Sequence, residues 1–137
     1  MTTERQPRIL VVDDELINIE VLADIFSDDY EVLFATEGER ALEIAAAARP
    51  DVILLDVMMP GLDGYEVCRR LKANHQTQDI PVIFVTGLGD VAAETRGLEL
   101  GARDYVFYDR GAAKSFEAQG LARISHNVAS AMPPDLS

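Results

Sequence analysis

Four apolar residues, Val52-Ile53-Leu54-Leu55, run straight into the carboxylate of Asp56, and the turn Val57-Met58-Met59-Pro60-Gly61 follows at once. A short apolar run bounded by turn residues reads as a strand buried on both faces. Such a strand does not tolerate a charge within it, because an unpaired buried carboxylate is costly to desolvate. The first place an acid can stand is the strand's end, so Asp56 sits on the rim of a sheet. In open α/β sheets that rim, at the carboxyl ends of the strands, is where ligands bind.

A second stretch has the same form: Ile9-Leu10-Val11-Val12 runs into Asp13-Asp14-Glu15. If the two strands are neighbours, Asp13, Asp14 and Asp56 converge. Like charges about 4 Å apart repel by roughly 4 kcal/mol per pair at an effective dielectric near 20. Such a cluster needs a cation or a proton, and oxygen-only ligands with room for water suit Mg²⁺ better than zinc or copper. The competing explanation is that each Asp caps the helix after its strand. One acid alone does not separate the two; both together favour a metal site.

The rest of the chain alternates. Strand one is Arg8 to Asp13, and helix one covers about Leu16 to Ser27, with Leu16, Ile19, Leu22, Ala23 and Phe26 at helical steps. Strand two is Tyr30 to Ala35. Thr36-Glu37-Gly38-Glu39 has the form of a capping box and opens helix two, which stops before Pro50. Strand three is Asp51 to Asp56, and Asp63 caps helix three, with Tyr65, Val67, Cys68 and Leu71 on its apolar side. Strand four is Pro81 to Thr86, and Asp90 caps helix four, which ends at Gly101. Strand five is Asp104 to Phe107. Beyond it Leu121, Ile124, Val128 and Ala131 recur at helical steps, while Gly111 and Gly120 weaken that helix's start by about 1 kcal/mol each.

Five β-α repeats imply a parallel sheet covered on both faces. The expected fold class is α/β, a doubly wound five-stranded parallel sheet of order 2-1-3-4-5. That order sets strands one and three side by side at the switch point. With 137 residues and 48% hydrophobic content, one domain over residues 8–132 has material for a core. Residues 1–7 read as a flexible lead-in and 133–137, from Pro133-Pro134, as a tail or linker start.

The formal net charge of −12 argues against direct contact with nucleic acid or an anionic membrane, and permits cations and basic protein surfaces. The single cysteine, Cys68, excludes an internal disulfide, suits a cytoplasmic location and reads as a small core residue. His75 and His126 lack ligand spacing, so zinc is not expected. The N-terminus is not a signal peptide, and no run reaches the length of a membrane helix.

On these residues the chain resembles the receiver domains of bacterial two-component response regulators. The matching stretches are Asp13-Asp14-Glu15, Asp56 through Gly64, Pro81 through Thr86, and Gly101 through Val106. The resemblance implies that Asp56 accepts a phosphoryl group from a histidine kinase or phosphotransfer protein. It implies that Asp14, Asp56 and the Met58 carbonyl bind Mg²⁺, with Asp13 acting through a metal-bound water. Thr86 would hydrogen-bond the phosphoryl group, and Tyr105 would be the aromatic whose rotamer reports the site's state. Output, to a domain or partner protein, would run through the face of helix four, strand five and helix five. Such a protein is a phosphoacceptor switch and not an enzyme acting on a separate substrate. The Glu94–Gly101 stretch resembles receivers fused to cyclic-di-GMP output domains, so the chain is read as a stand-alone regulator or a receiver from a longer one.

The pattern breaks after Val106. The family carries a lysine two residues further on, then a proline, usually cis; here Tyr108 and Asp109 stand there. A neutral hydrogen bond contributes about 0.5–1.5 kcal/mol net against roughly 1.5–3 for a charged one. Arg110 or Lys114 is a candidate substitute. A cis bond before a non-proline costs about 3–4 kcal/mol, so a trans bond and a rebuilt loop are expected. The alternative function is a pseudo-receiver that signals by contact alone. Phosphatases with a strand-end Asp need a second Asp where Met58 stands, and an FMN binder needs a phosphate-cradling loop where Asp13-Asp14-Glu15 stand.

Overall fold

The computed structural model describes residues 6–87, 89–107 and 118–133, with side chains in the last segment from residue 122. Tyr108, Asp109, Arg110, Gly111 and Lys114, with the loop expected around them, lie outside the described residues, as does the Leu121 side chain.

The chain runs β1 (Arg8–Val12), α1 (Leu16–Phe26), β2 (Glu31–Ala35), α2 (Gly38–Ala48), β3 (Val52–Leu55), α3 (Gly64–Ala73), β4 (Val82–Thr86), α4 (Val91–Glu99), β5 (Asp104–Phe107) and α5 (Ala118–Ala131). All strand pairs are parallel, in the order β2-β1-β3-β4-β5. This is the doubly wound sheet expected from the alternation.

Period-two alternation divides the core between two faces. Leu10, Val12, Ile53, Leu55, Val82, Phe84 and Tyr105 meet α2, α3 and α4 through Ala41, Ala45, Val67, Cys68, Leu71 and Ala93. Ile9, Val11, Val52, Leu54, Ile83, Val85 and Val106 meet α1 and α5 through Ile19, Leu22, Phe26, Ile124, Val128 and Ala131. Strands β1, β3 and β4 are thus apolar at almost every position because both sides are covered, whereas edge strand β2 leaves Phe34 54% exposed. Cys68 is fully buried, and burial pushes its thiol pKa up.

Three local expectations change. The capping box at Thr36 does not form: α2 begins at Gly38, and Glu37 stands at the N-cap without a side-chain bond. Close packing sets that start, since a Cβ on Gly38 would lie 2.8 Å from both Leu62 Cβ and Val67 Cγ2. Leu16 does not join the core; it and Ile17 are exposed, and Asn18 turns inward beside Ile19. Gly120 lies inside α5, which already begins at Ala118. The acidic caps hold: Asp63 accepts from Glu66 N at 2.9 Å and Asp90 from Ala93 N at 2.7 Å.

Candidate functional site

Register alone brings the acids together. Val12 pairs with Leu55 across β1 and β3, so Asp13 and Asp56 are each the first residue beyond a matched pair of strand ends. Asp13 N–H donates to Ala35 O at 3.1 Å, and Asp56 N–H to Val12 O at 2.9 Å, which extends the ladder through both acids. Asp13 and Asp56 are buried and Asp14 is exposed. Each offers one carboxylate oxygen to a group whose atoms all lie within 4.8 Å of one another.

At 4.8 Å, two ionised carboxylates repel by about 3.5 kcal/mol at an effective dielectric near 20. Local donors relieve part of this. Glu15 N–H donates to Asp13 Oδ1 at 2.9 Å and the Asn18 amide to Asp13 Oδ2 at 3.0 Å. Both oxygens of Asp13 therefore hold donors that fix its orientation. Met58 N–H approaches Asp56 Oδ1 at 3.4 Å, a long contact. The Met58 side chain points out to solvent, 58% exposed.

The donor set suits a hard divalent cation. It is all oxygen, with one carboxylate open to water, and the separations are near the roughly 4.2 Å span of two opposite bonds of about 2.1 Å to Mg²⁺. A side-chain rotation, or one ligand acting through water, closes the remaining difference.

The wall of the site is rigid where α3 begins. Gly64 N–H donates to Val57 O at 2.8 Å, and a Cβ on Gly64 would lie 2.1 Å from the Asp56 carbonyl oxygen. Only glycine lets the helix start this close to the acid's backbone. Gly61, with φ +75°, supplies the left-handed turn that brings the chain there.

Thr86 and Tyr105 occupy the adjoining strands. Phe84 pairs with Leu55, so Thr86, fully buried at the end of β4, is level with Val57. Tyr105 pairs with Phe84, its ring 5.7 Å from the Phe84 ring, and is almost fully buried. Burial foremost raises its hydroxyl pKa well above that of an ordinary phenol; Tyr65, Asp90 and Asp56 add to the shift. Tyr105 therefore stays neutral and within electrostatic reach of Asp56.

The structure thus unites Asp13, Asp14 and Asp56, sets Met58 in the adjoining loop, and holds Thr86 at the end of β4, whereas Tyr105 lies within β5, paired with Phe84 two residues before the level of Thr86. Sequence reasoning missed Asn18, whose only signal was a polar residue beside Ile19 in an apolar helix pattern. It also took Gly64 only as part of a cap.

Comparison with known proteins agrees with this geometry. The family described as the response regulator receiver domain matches residues 9–119, past the break after Val106. The chain is similar to response regulator PleD of Caulobacter vibrioides, 49% identical over 100 residues, 72% of this chain and 22% of that protein. It is 51% identical over 100 residues, 72% of this chain, to the probable transcriptional regulator ycf27 of Cyanophora paradoxa, covering 41% of it. The chain therefore spans about a fifth to two fifths of these relatives. Among solved structures, the response regulator domain of Thermotoga maritima CheB superposes with a TM-score of 0.80 at 31% identity, over 93% of this chain and 97% of that one. On the sheet order, the acid cluster and these matches, the chain belongs to the response regulator receiver domains of two-component signalling.

Proposed function

We propose that Asp56 is the phosphoacceptor and that a phosphohistidine on a histidine kinase or phosphotransfer protein is the donor. One observation carries this reading: three carboxylates converge at the ends of β1 and β3, where they are costly unless a cation joins them. An Asp56 oxygen attacks phosphorus, the P–N bond to the donor imidazole breaks, and the imidazole keeps the electron pair and takes a proton. The product on this chain is an acyl phosphate. Asp14, Asp56 and the Met58 carbonyl would hold Mg²⁺, with Asp13, fixed by Glu15 N–H and Asn18, acting through water. The ion supplies positive charge against the phosphoryl oxygens. Thr86 donates its hydroxyl to the transferred group, and Tyr105 responds to that contact.

Residues 8–132 act as the receiver unit in this reading, with a lead-in before and a tail or linker after. The working compartment is the cytoplasm; no helix among the described residues is long and apolar enough to cross a membrane. Output passes through α4, β5 and α5, where Val91, Leu98 and Phe107 are exposed, to an output domain or partner protein. Tyr108 in place of the family's lysine makes transfer slow and leaves it dependent on the metal.

The test is intact mass after incubation with Mg²⁺ and acetyl phosphate. One added phosphoryl group is expected on the wild type and none on Asp56→Ala or with EDTA. An unmodified wild type, beside an ordinary receiver that is modified, overturns the proposal.

A further inference from the structure

Strand β2 ends the sheet and pairs with β1 alone. Glu31 N–H donates to Pro7 O at 2.8 Å, and Ala35 O accepts from Asp13 N–H at 3.1 Å. In a parallel strand the N–H and C=O of one residue point the same way, and the direction alternates along the chain. Glu31, Leu33 and Ala35 therefore direct theirs to β1, and Val32 and Phe34 turn theirs to the open edge. Proteins blunt such edges with prolines, bulges or charges. From Val32 to Ala35 there is neither proline nor charge, and the register with β1 is unbroken.

A groove of about 640 Å³ runs along this edge, between β2 and the side of α2 that carries Arg40, Glu43, Ile44 and Ala47. Leu33 and Ile44 pack on the α2 and α3 side of the sheet and Val32 on the α1 side, while Phe34 is half exposed.

Charge says what fits there. Between Ile9 and Glu39 the chain carries ten carboxylates and no lysine, arginine or histidine, so most of the formal charge of −12 surrounds α1 and β2. At the groove Glu31 pairs with Arg8 at 3.1 Å and Glu43 with Arg40 at 3.2 Å. Asp28 and Asp29 before β2, and Glu37 after it, are exposed, and no ion pair with a described residue holds them. The apolar edge is thus acidic at both ends. A second copy of the chain meets it badly. Antiparallel pairing about Leu33 sets Asp29 of each copy opposite Glu37 of the other, and like charges opposite one another destabilise a strand pair.

We propose that the β2 edge and its groove dock an extended segment of a partner protein, apolar at alternate positions and basic at its ends, which adds a sixth strand to the sheet. Its main chain bonds the outward groups of Val32 and Phe34. Its side chains lie alternately beside Leu33 and Ile44 in the groove and beside Phe34 on the other face. Lysine or arginine at its ends meets Asp28, Asp29 and Glu37. The proposal does not rest on Asp56 being the phosphoacceptor.

The test selects binders of the full chain from a displayed library of random peptides and follows each selected peptide by NMR. The expected peptides alternate apolar residues between basic ends. They slow exchange of the Val32 and Phe34 amides about tenfold, while Leu33, already bonded to β1, is unchanged. Phe34→Pro removes an outward N–H that β1 does not use, so the ladder is kept and affinity falls about fivefold or more; Phe34→Val keeps that N–H and loses less. Reversing the exposed acids together, Asp28→Lys, Asp29→Lys and Glu37→Lys, weakens binding about tenfold. No peptide at this edge, peptides that bind while Val32 and Phe34 exchange as before, Phe34→Pro binding as well as Phe34→Val, or indifference to the reversed charges each overturns the proposal. Slowed exchange at Val32 and Phe34 that grows with the concentration of the chain alone makes the occupant a second copy, and overturns it too.

Discussion

Replacing Gly64 by alanine tests whether the site depends on the close start of α3. The added Cβ would lie 2.1 Å from Asp56 O, 2.8 Å from Val57 Cα and 2.9 Å from Asp56 C. All three neighbours are backbone, so no flexible side chain can yield. Asp56 is anchored by its N–H to Val12 O at 2.9 Å, next to the central strands, so α3 is the part that must move. An ordinary carbon contact is about 3.5–4 Å, so the shift exceeds 1 Å. It breaks the Gly64 N–H bond to Val57 O and strains the Asp63 cap on Glu66 N. A lost bond of about 1 kcal/mol, a weakened cap of about 1 and overpacking of about 1–3 sum to roughly 3–5 kcal/mol. That is a large share of a typical domain stability of about 5–15 kcal/mol. Gly61→Ala is the control: nothing lies within 4 Å of its added Cβ, and only the φ of +75° opposes it, a penalty of about 1–2 kcal/mol. Urea unfolding with the slope held constant gives both values, and Mg²⁺ titration gives the effect on the acids. The expected order is Gly64→Ala well below Gly61→Ala in stability, with Mg²⁺ affinity weakened only in the first. A Gly64→Ala protein as stable as Gly61→Ala, with wild-type Mg²⁺ affinity, refutes the reasoning.

Two further predictions concern charge. Asp56→Asn removes one of three mutually repelling carboxylates at nearly constant shape, so in EDTA the variant melts higher than wild type, by roughly 1–2 kcal/mol after solvent relaxation; thermal melts check this, and the stabilisation that Mg²⁺ gives the wild type disappears in the variant. Glu66 has its pKa lowered to about 2 by hydrogen bonds from Arg69 and then Arg70. Its folded value lies below the ordinary 4.5, so its stabilising contribution is present above that value and is lost as pH falls toward 2; an NMR titration of the Glu66 carboxyl should give a midpoint near 2 that rises in high salt or in Arg69→Ala.

Strands and acids were legible in the sequence because parallel sheets impose a simple rule. A strand covered on both faces must be apolar throughout, so the first carboxylate marks its end, and β1 and β3 announce themselves this way. The caps at Asp63 and Asp90 were legible because a short acidic side chain three residues before a backbone donor is a local geometry. Asn18 was not, because its value depends on Asp13, which the fold and not the local helix places beside it. Thr36 misled for the same reason. Its capping pattern is local, but the contacts of Gly38 with Leu62 and Val67 are tertiary, and they decide where α2 starts. Tyr65 was read only as an apolar position on α3; periodicity sees the ring and not the hydroxyl, whose partner belongs to α4.

Stability and signalling oppose each other at this sheet edge. Three acids held within 4.8 Å oppose folding, and the backbone around them is correspondingly stiff: β1 and β3 are fully paired, Asp13 is gripped at both oxygens, and α3 is jammed against Asp56. Asp13 and Asp56 are buried and cannot spread apart, whereas Asp14 is exposed and can turn to water, so a bound cation relieves chiefly the buried pair. Helix α4 is lightly attached by comparison: its buried residues are Ala93 and Gly97, and Tyr65 OH donates to Ala93 O. A charge change at Asp56 therefore finds a stiff wall on the α3 side and a lightly attached helix beyond Phe84 and Tyr105. That contrast in attachment is the asymmetry on which the switch proposed at Asp56 would act.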